Sequence, residues 1–133
     1  MARVPDMTAE MLKEADRDLL KRNIALHRAL TNSPNAARAF SGLGQFIRYG
    51  SVLDSRLREM AILQVGWLAR SAYEWSHHVK IGMEFGVSDD DIRALIAESA
   101  GQETALEPVA KLVLLAAREA YAGPGVSEPT FEA

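Results

Sequence analysis

Leu57-Arg58-Glu59-Met60-Ala61-Ile62-Leu63-Gln64-Val65-Gly66-Trp67-Leu68 has no polar face after its first turn. Apolar residues fall on every side of a helix drawn through it, and a helix apolar all round must be covered all round. Asp54 or Ser55 caps its start, so the spacing predicts a helix over about 56–70. A second helix follows over about 72–85, with Gly86 placed as its left-handed stop. Ser88-Asp89-Asp90-Asp91 then opens a short helix through Ile92, Leu95 and Ile96, with acidic residues where the helix dipole favours them. A last helix is expected over about 106–122. There Leu106, Val109, Ala110, Val113 and Ala117 form one apolar stripe, widened by Leu112, Leu115 and Ala116.

Upstream of this block, Thr8 caps a predicted helix reaching about residue 22. A short continuation through Ile24, His27 and Leu30 ends at Thr31-Asn32-Ser33-Pro34. Ser33 and Pro34 open a further helix that carries Ala37, Phe40, Leu43, Phe46 and Ile47 and stops near Gly50. No stretch alternates with period two for long enough to argue a strand. The expectation is an all-α chain forming a single domain over 1–133. Two helices too apolar for a chain of 133 residues to enclose imply a homo-oligomer.

Composition narrows the function. With 15 Lys and Arg against 18 Asp and Glu, the formal charge is -3, which gives no basis for a nucleic-acid partner. There is no cysteine, so disulfide, thiolate and sulfur-ligated metal chemistry is excluded. The N-terminal stretch is charged and lacks a continuous apolar run, so neither a signal peptide nor a membrane span is expected, and the cytoplasm is the expected location.

The chemistry concentrates in Ser71-Ala72-Tyr73-Glu74-Trp75-Ser76-His77-His78-Val79-Lys80-Ile81-Gly82-Met83-Glu84-Phe85. Glu74 and His78 lie one turn apart on a face that continues through Ile81, Gly82 and Phe85. Ala72, Trp75, Val79 and Met83 form the neighbouring stripe; Ser76, Lys80 and Glu84 face solvent. A Glu–His pair aimed at apolar surroundings suits proton transfer near neutral pH. The same spacing also serves as an ordinary helix-stabilising pair. His77 points elsewhere, to a rim or an interface, and His27 has no chemical setting. Glu59 stands among Ile62, Leu63 and Gly66, either as a buried carboxylate or as a first-turn residue reaching water. Gly66 marks close helix approach or room for a ligand. No second inward histidine or paired Glu-x-x-His pattern supports a metal, and no phosphate loop or nucleotide fingerprint is present. No cofactor is expected.

Leu57-Arg58-Glu59-Met60-Ala61-Ile62-Leu63, then Tyr73-Glu74-Trp75-x-x-His78, then Gly86-Val87-Ser88 with Asp91-Ile92-x-Ala94-Leu95, resembles the carboxymuconolactone decarboxylase family, which shares its fold with the alkylhydroperoxidase D proteins. The resemblance is strongest over 33–98. It implies an alkylhydroperoxidase D-like helical bundle with a core antiparallel hairpin, assembled as a trimer or hexamer. The hydroperoxidase branch carries a glutamate, a Cys-x-x-Cys pair and a histidine. By spacing these fall on Glu59, on Ser71 and Glu74, and on His78, so the redox pair is replaced by residues that cannot form a disulfide.

The decarboxylase branch is similar in its glutamate and histidine at Glu74 and His78, and this chain differs from it outside those two. The resemblance implies cofactor-independent acid–base chemistry on a small carboxylated lactone or ring-cleavage product. In that picture His78 donates the proton, Glu74 sets its tautomer, and Glu59 is a second acid or base. Tyr73 and Trp75 lie beside the substrate, and Arg48, Arg56 or Arg58 meets its negative charge. The alternatives are a non-catalytic oligomeric binding protein and a hydrolase or isomerase using the same pair. Longer relatives continue with another helix pair past 133, so a short or truncated member is expected.

Overall fold

The computed structural model describes residues 3–133, which are helical or connecting throughout, with no strand among the described residues. The chain divides into two compact units, Met1–Ser51 and Val52–Ala133.

The first unit contains two stretches of 3₁₀ helix, Ala9–Met11 and Glu14–Leu20, where one α-helix was expected from Thr8 onward. The physical reason lies in the carbonyls. Arg38 Nη2 binds the Ala15 carbonyl oxygen at 2.6 Å while its guanidinium also holds Asp16 and Asp18. Arg17 Nε similarly donates to the Ala9 carbonyl. Leu12 is buried in an extended conformation between the two stretches, which interrupts the ladder. Helix α1, Ala25–Leu30, and helix α2, Pro34–Gln45, follow, and α2 passes into a π-helical turn at Phe46–Gly50. Of the apolar stripe expected on α2, only Ala37 is buried; Phe40, Leu43, Phe46 and Ile47 are exposed.

The second unit is built around α3, Ser55–Leu68, capped by the Asp54 carboxylate, which accepts from the Leu57 N–H at 3.0 Å. Helix α3 packs against α4, Ala72–Glu84, α5, Asp89–Ser99, and α6, Pro108–Ala122; a short α7, Glu128–Glu132, rests on α6. Met60, Leu63, Val87, Leu95, Ala110 and Leu114 form the buried core. On α6 the core stripe is Ala110, Leu114 and Ala117, and Val109 is 48% exposed. The helix is therefore rotated from the face expected through Val109 and Val113. Neither is α3 covered all round, since Val65 and Trp67 remain about two-fifths exposed while Met60 and Leu63 are sealed.

Three polar devices fix these helices. At α5, Ser88 and Asp91 form a reciprocal capping box, and Asp91 is also clamped by Arg56, whose Nε lies 2.9 Å from Oδ2 and whose Nη2 reaches Oδ1. Arg56 further binds Glu107, just ahead of α6. Deep in the unit the fully buried Gln64 donates from Nε2 to Ser99 Oγ at 2.9 Å, and Ser99 donates to the Leu95 carbonyl at 2.8 Å. Third, α3 and α4 both end in Schellman turns. Ser71 N–H reaches the Gly66 carbonyl at 3.1 Å after α3, and Val87 N–H reaches that of Gly82 at 2.8 Å after α4. The left-handed position of the second turn is Gly86, at φ +93, whereas that of the first is Arg70, at φ +50, where a side chain carries a steric cost.

Candidate functional site

The α3–α4 hairpin brings Glu59 and His78 together. Gly82 permits this: a Cβ there would lie 3.6 Å from the Glu59 Cβ and only 3.2 Å from Val87 Cγ2, so a larger residue would push α4 outward. Glu59 is 1% exposed. Its Oε2 lies 2.8 Å from His78 Nδ1, and its Oε1 accepts from Arg58 Nε at 3.2 Å. Burial raises the Glu59 pKa, but hydrogen bonds and charge from His78 and Arg58 outweigh it and hold the carboxyl below its ordinary range. An ionised carboxylate only accepts, so Nδ1 must carry the hydrogen and Nε2 is the nitrogen left for exchange.

The Glu74–His78 pair expected from helical spacing is present as a loose i,i+4 ion pair, and the shorter contact of the ring is to Glu59. Glu74 is 48% exposed at its side chain, and its Oε2 lies 3.6 Å from His78 Nε2, beyond hydrogen-bonding distance. Glu59, on the neighbouring helix, is the residue that fixes the tautomer; Glu74 stands on the outer side of the ring. Glu59, His78 and Glu74 thus form a line from the interior to the surface. Among the described residues, no three histidine or acidic side chains gather around a point that would hold a metal ion.

The other expected residues are placed as follows. Arg58 is buried, engaged with Glu59, and its guanidinium carbon sits 4.7 Å above the Phe85 ring centroid. Arg56 is committed to Asp91 and Glu107. Arg48 belongs to the π-helical turn of the first unit. Tyr73 is half exposed and stacks on His77, with ring centroids 5.7 Å apart, and His77 in turn meets His78 edge-on. Trp75 is half-buried against Trp67, with centroids 5.2 Å apart and rings inclined by 51°.

Two open concavities adjoin the hairpin turn. One, of about 480 Å³, is lined by Ile62, Val65, Gly66, Ser71, Glu74 and Ala117 and is almost wholly apolar apart from Glu74 and Ser71. The other, of about 560 Å³, is lined by Gly66, Trp67, Arg70, Ser71, Ala72 and Trp75. Gly66 and Ser71 belong to both. Trp67 and Arg70 carried no mark as site residues in the sequence. The available signal was the end of α3, which lacks the glycine that its turn geometry favours.

The sequence pattern of the carboxymuconolactone decarboxylase family matches residues 34–122, more than half of the chain. No curated protein and no solved structure matches it significantly. Among the described residues, no helix is long and apolar enough to cross a membrane.

Proposed function

The chain belongs to the carboxymuconolactone decarboxylase family, and on that premise we propose that it is a cofactor-independent acid–base lyase acting on a small carboxylated lactone or related ring-cleavage product. The observation that supports this most is the 2.8 Å contact between buried Glu59 and His78 Nδ1, which leaves Nε2 as the proton-exchanging atom. In the proposed cycle the C–C bond to the substrate carboxylate breaks, CO2 leaves, and the bonding pair passes into an extended enolate. His78, as imidazolium, then gives its Nε2 proton to the substrate carbon. Glu74 lies on the solvent side of the same nitrogen and returns a proton from water, so one proton is consumed for each CO2 released.

Glu59 fixes the ring orientation and its charge faces the imidazolium when that forms. Arg58 is a positioning residue in this scheme, compensating Glu59 through a contact on the side away from His78. The absence of cysteine is the basis for reading the chain as a decarboxylase-type rather than a dithiol member. We further propose an alkylhydroperoxidase D-like packing, assembly of copies into a trimer or hexamer, and work in the cytoplasm. The exposed apolar residues Val65, Leu115 and Tyr121 support assembly, and sedimentation of the purified protein tests it.

The activity test is CO2 release from carboxylated lactones. His78→Ala is expected to lower turnover by about a hundredfold or more, the scale of general acid–base catalysis, whereas His77→Ala leaves it nearly unchanged. Equal turnover in both variants would sink the assignment of His78. Binding of such acids with no turnover in the parent protein would instead identify a binding protein, and a product of unchanged mass an isomerase.

A further inference from the structure

We propose that the groove at the α3–α4 turn, lined by Trp67, Arg70 and Trp75, docks a planar unsaturated ring bearing a carboxylate: the ring lies on an indole face and the carboxylate pairs with Arg70. The choice of ligand rests on the lyase reading, but the groove itself is argued from its own residues.

The chain has two tryptophans, and both line this groove. Their rings touch at an angle, so they form a bent aromatic wall and not a slot; a flat ring finds one indole face to stack on. Trp67 is 40% exposed, a large apolar area left open to water. The cation at the mouth is Arg70. Among the described residues its guanidinium has no hydrogen-bond or ion-pair partner, unlike Arg56, which is held by two carboxylates. A planar guanidinium beside aromatic walls is suited to a flat anion, because it can bond both carboxylate oxygens while the ring stacks. Helix α4 starts at the same place, with Ser71 and Ala72 in the lining, so the positive end of its dipole adds to the arginine.

The position is also connected to the chemistry. Gly66 and Ser71 line both this groove and the concavity that holds Glu74, which stands 3.6 Å from His78 Nε2. A ring anchored by Arg70 therefore extends across the hairpin turn toward Glu74 and the histidine. For a substrate with two carboxylates, Arg70 thereby becomes a specificity-determining residue, holding the carboxylate that is not lost as CO2.

The test uses benzoate and its neutral isostere benzamide, with binding read from intrinsic tryptophan fluorescence, which here arises only from the two groove residues. The expected result is saturable quenching by benzoate, with benzamide about tenfold weaker or worse, as one charge-assisted contact implies. Arg70→Gly suits the left-handed backbone and so keeps the fold. It is expected to bring benzoate down to the benzamide affinity. Arg70→Lys, which keeps charge but not the fork, should retain part of the preference. Absence of saturable quenching, equal binding of the two probes by the parent protein, or an unchanged preference in Arg70→Gly would each overturn the proposal. The outcome separates from that of the lyase reading. A protein that prefers benzoate but releases no CO2 from lactones keeps the groove and loses the reaction. One that decarboxylates with the same KM after Arg70→Gly keeps the reaction and loses the groove.

Discussion

Replacing Asp91 by asparagine tests the clamp that holds the N-terminal end of α3 to α5. Arg56 beside Asp91 carries the carboxyl from its ordinary 3.8 down to about 2, with the capping interactions of Ser88 adding to the effect against the cost of burial. At about 1.4 kcal/mol for each pKa unit, that depression corresponds to about 2 kcal/mol of folding stability. Because the folded pKa lies below the unfolded one, this stability is fully present above about pH 4 and is lost as the pH falls toward 2. Asparagine keeps an oxygen for the Ser88 N–H and leaves the cap largely intact, so it removes mainly the charge. Urea unfolding of both proteins followed by circular dichroism should give a gap of about 2 kcal/mol at pH 6, closing between pH 4 and pH 2. Carboxyls remote from the clamp titrate in both proteins and cancel in the difference; Glu107, which shares Arg56 with Asp91, does not. A gap that stays constant with pH, or that is absent at pH 6, refutes the assignment of the clamp energy to the Asp91 charge.

Glu59→Gln removes the carboxylate charge that faces the buried Arg58 and is expected to cost about 3 kcal/mol, while the double variant Arg58→Met/Glu59→Gln costs less than the sum of the two single changes by at least about 1 kcal/mol. Strict additivity in urea unfolding would show that the two do not act as a pair. Arg70→Gly relieves a side chain at φ +50 and should raise stability by about 1 kcal/mol; a lower Tm would contradict this. Glycines on the two hairpin helices should respond oppositely to alanine. At Gly66 a Cβ meets only ordinary contacts at 3.6 Å, so helix propensity should gain about 0.5–1 kcal/mol. At Gly82 the Cβ would press on Val87, which is itself held by its hydrogen bond to the Gly82 carbonyl, and a loss of about 1–2 kcal/mol is expected.

The hairpin, its caps and its stop were legible because their signals are local. Asp54, one of the two expected caps, and Gly86 act on backbone groups a few positions away, and the structure uses both. The helix expected over 9–22 fails because its competitor is remote in sequence: Arg38 takes the Ala15 carbonyl and two aspartates from twenty or more residues away. The stripe of α6 failed similarly, since three adjacent faces were apolar and only packing against α3 selects Leu114 over Val109. At the site, all three residues Glu59, Glu74 and His78 were identifiable. Spacing finds the i,i+4 contact of Glu74 with His78 but not the shorter one from Glu59, because the rule compares neighbours on one helix and cannot see a glutamate brought in by helix crossing.

The Gln64–Ser99 contact has a consequence beyond local satisfaction of polar atoms. A sealed amide with a fixed partner acts as a detent for the helix that carries it. Sliding α3 by one turn relative to α5 would break that bond and leave the fully buried Gln64 amide without it, at the cost of an unmade hydrogen bond. The axial position of α3 is therefore one of a few discrete settings and not a continuum. Glu59 lies five residues from Gln64 on the same rigid rod, so the depth at which its carboxylate meets the histidine is indexed by a hydrogen bond on the far side of the bundle. Loosening that bond would be felt first as a loss of alignment between Glu59 and His78, before any loss of the fold.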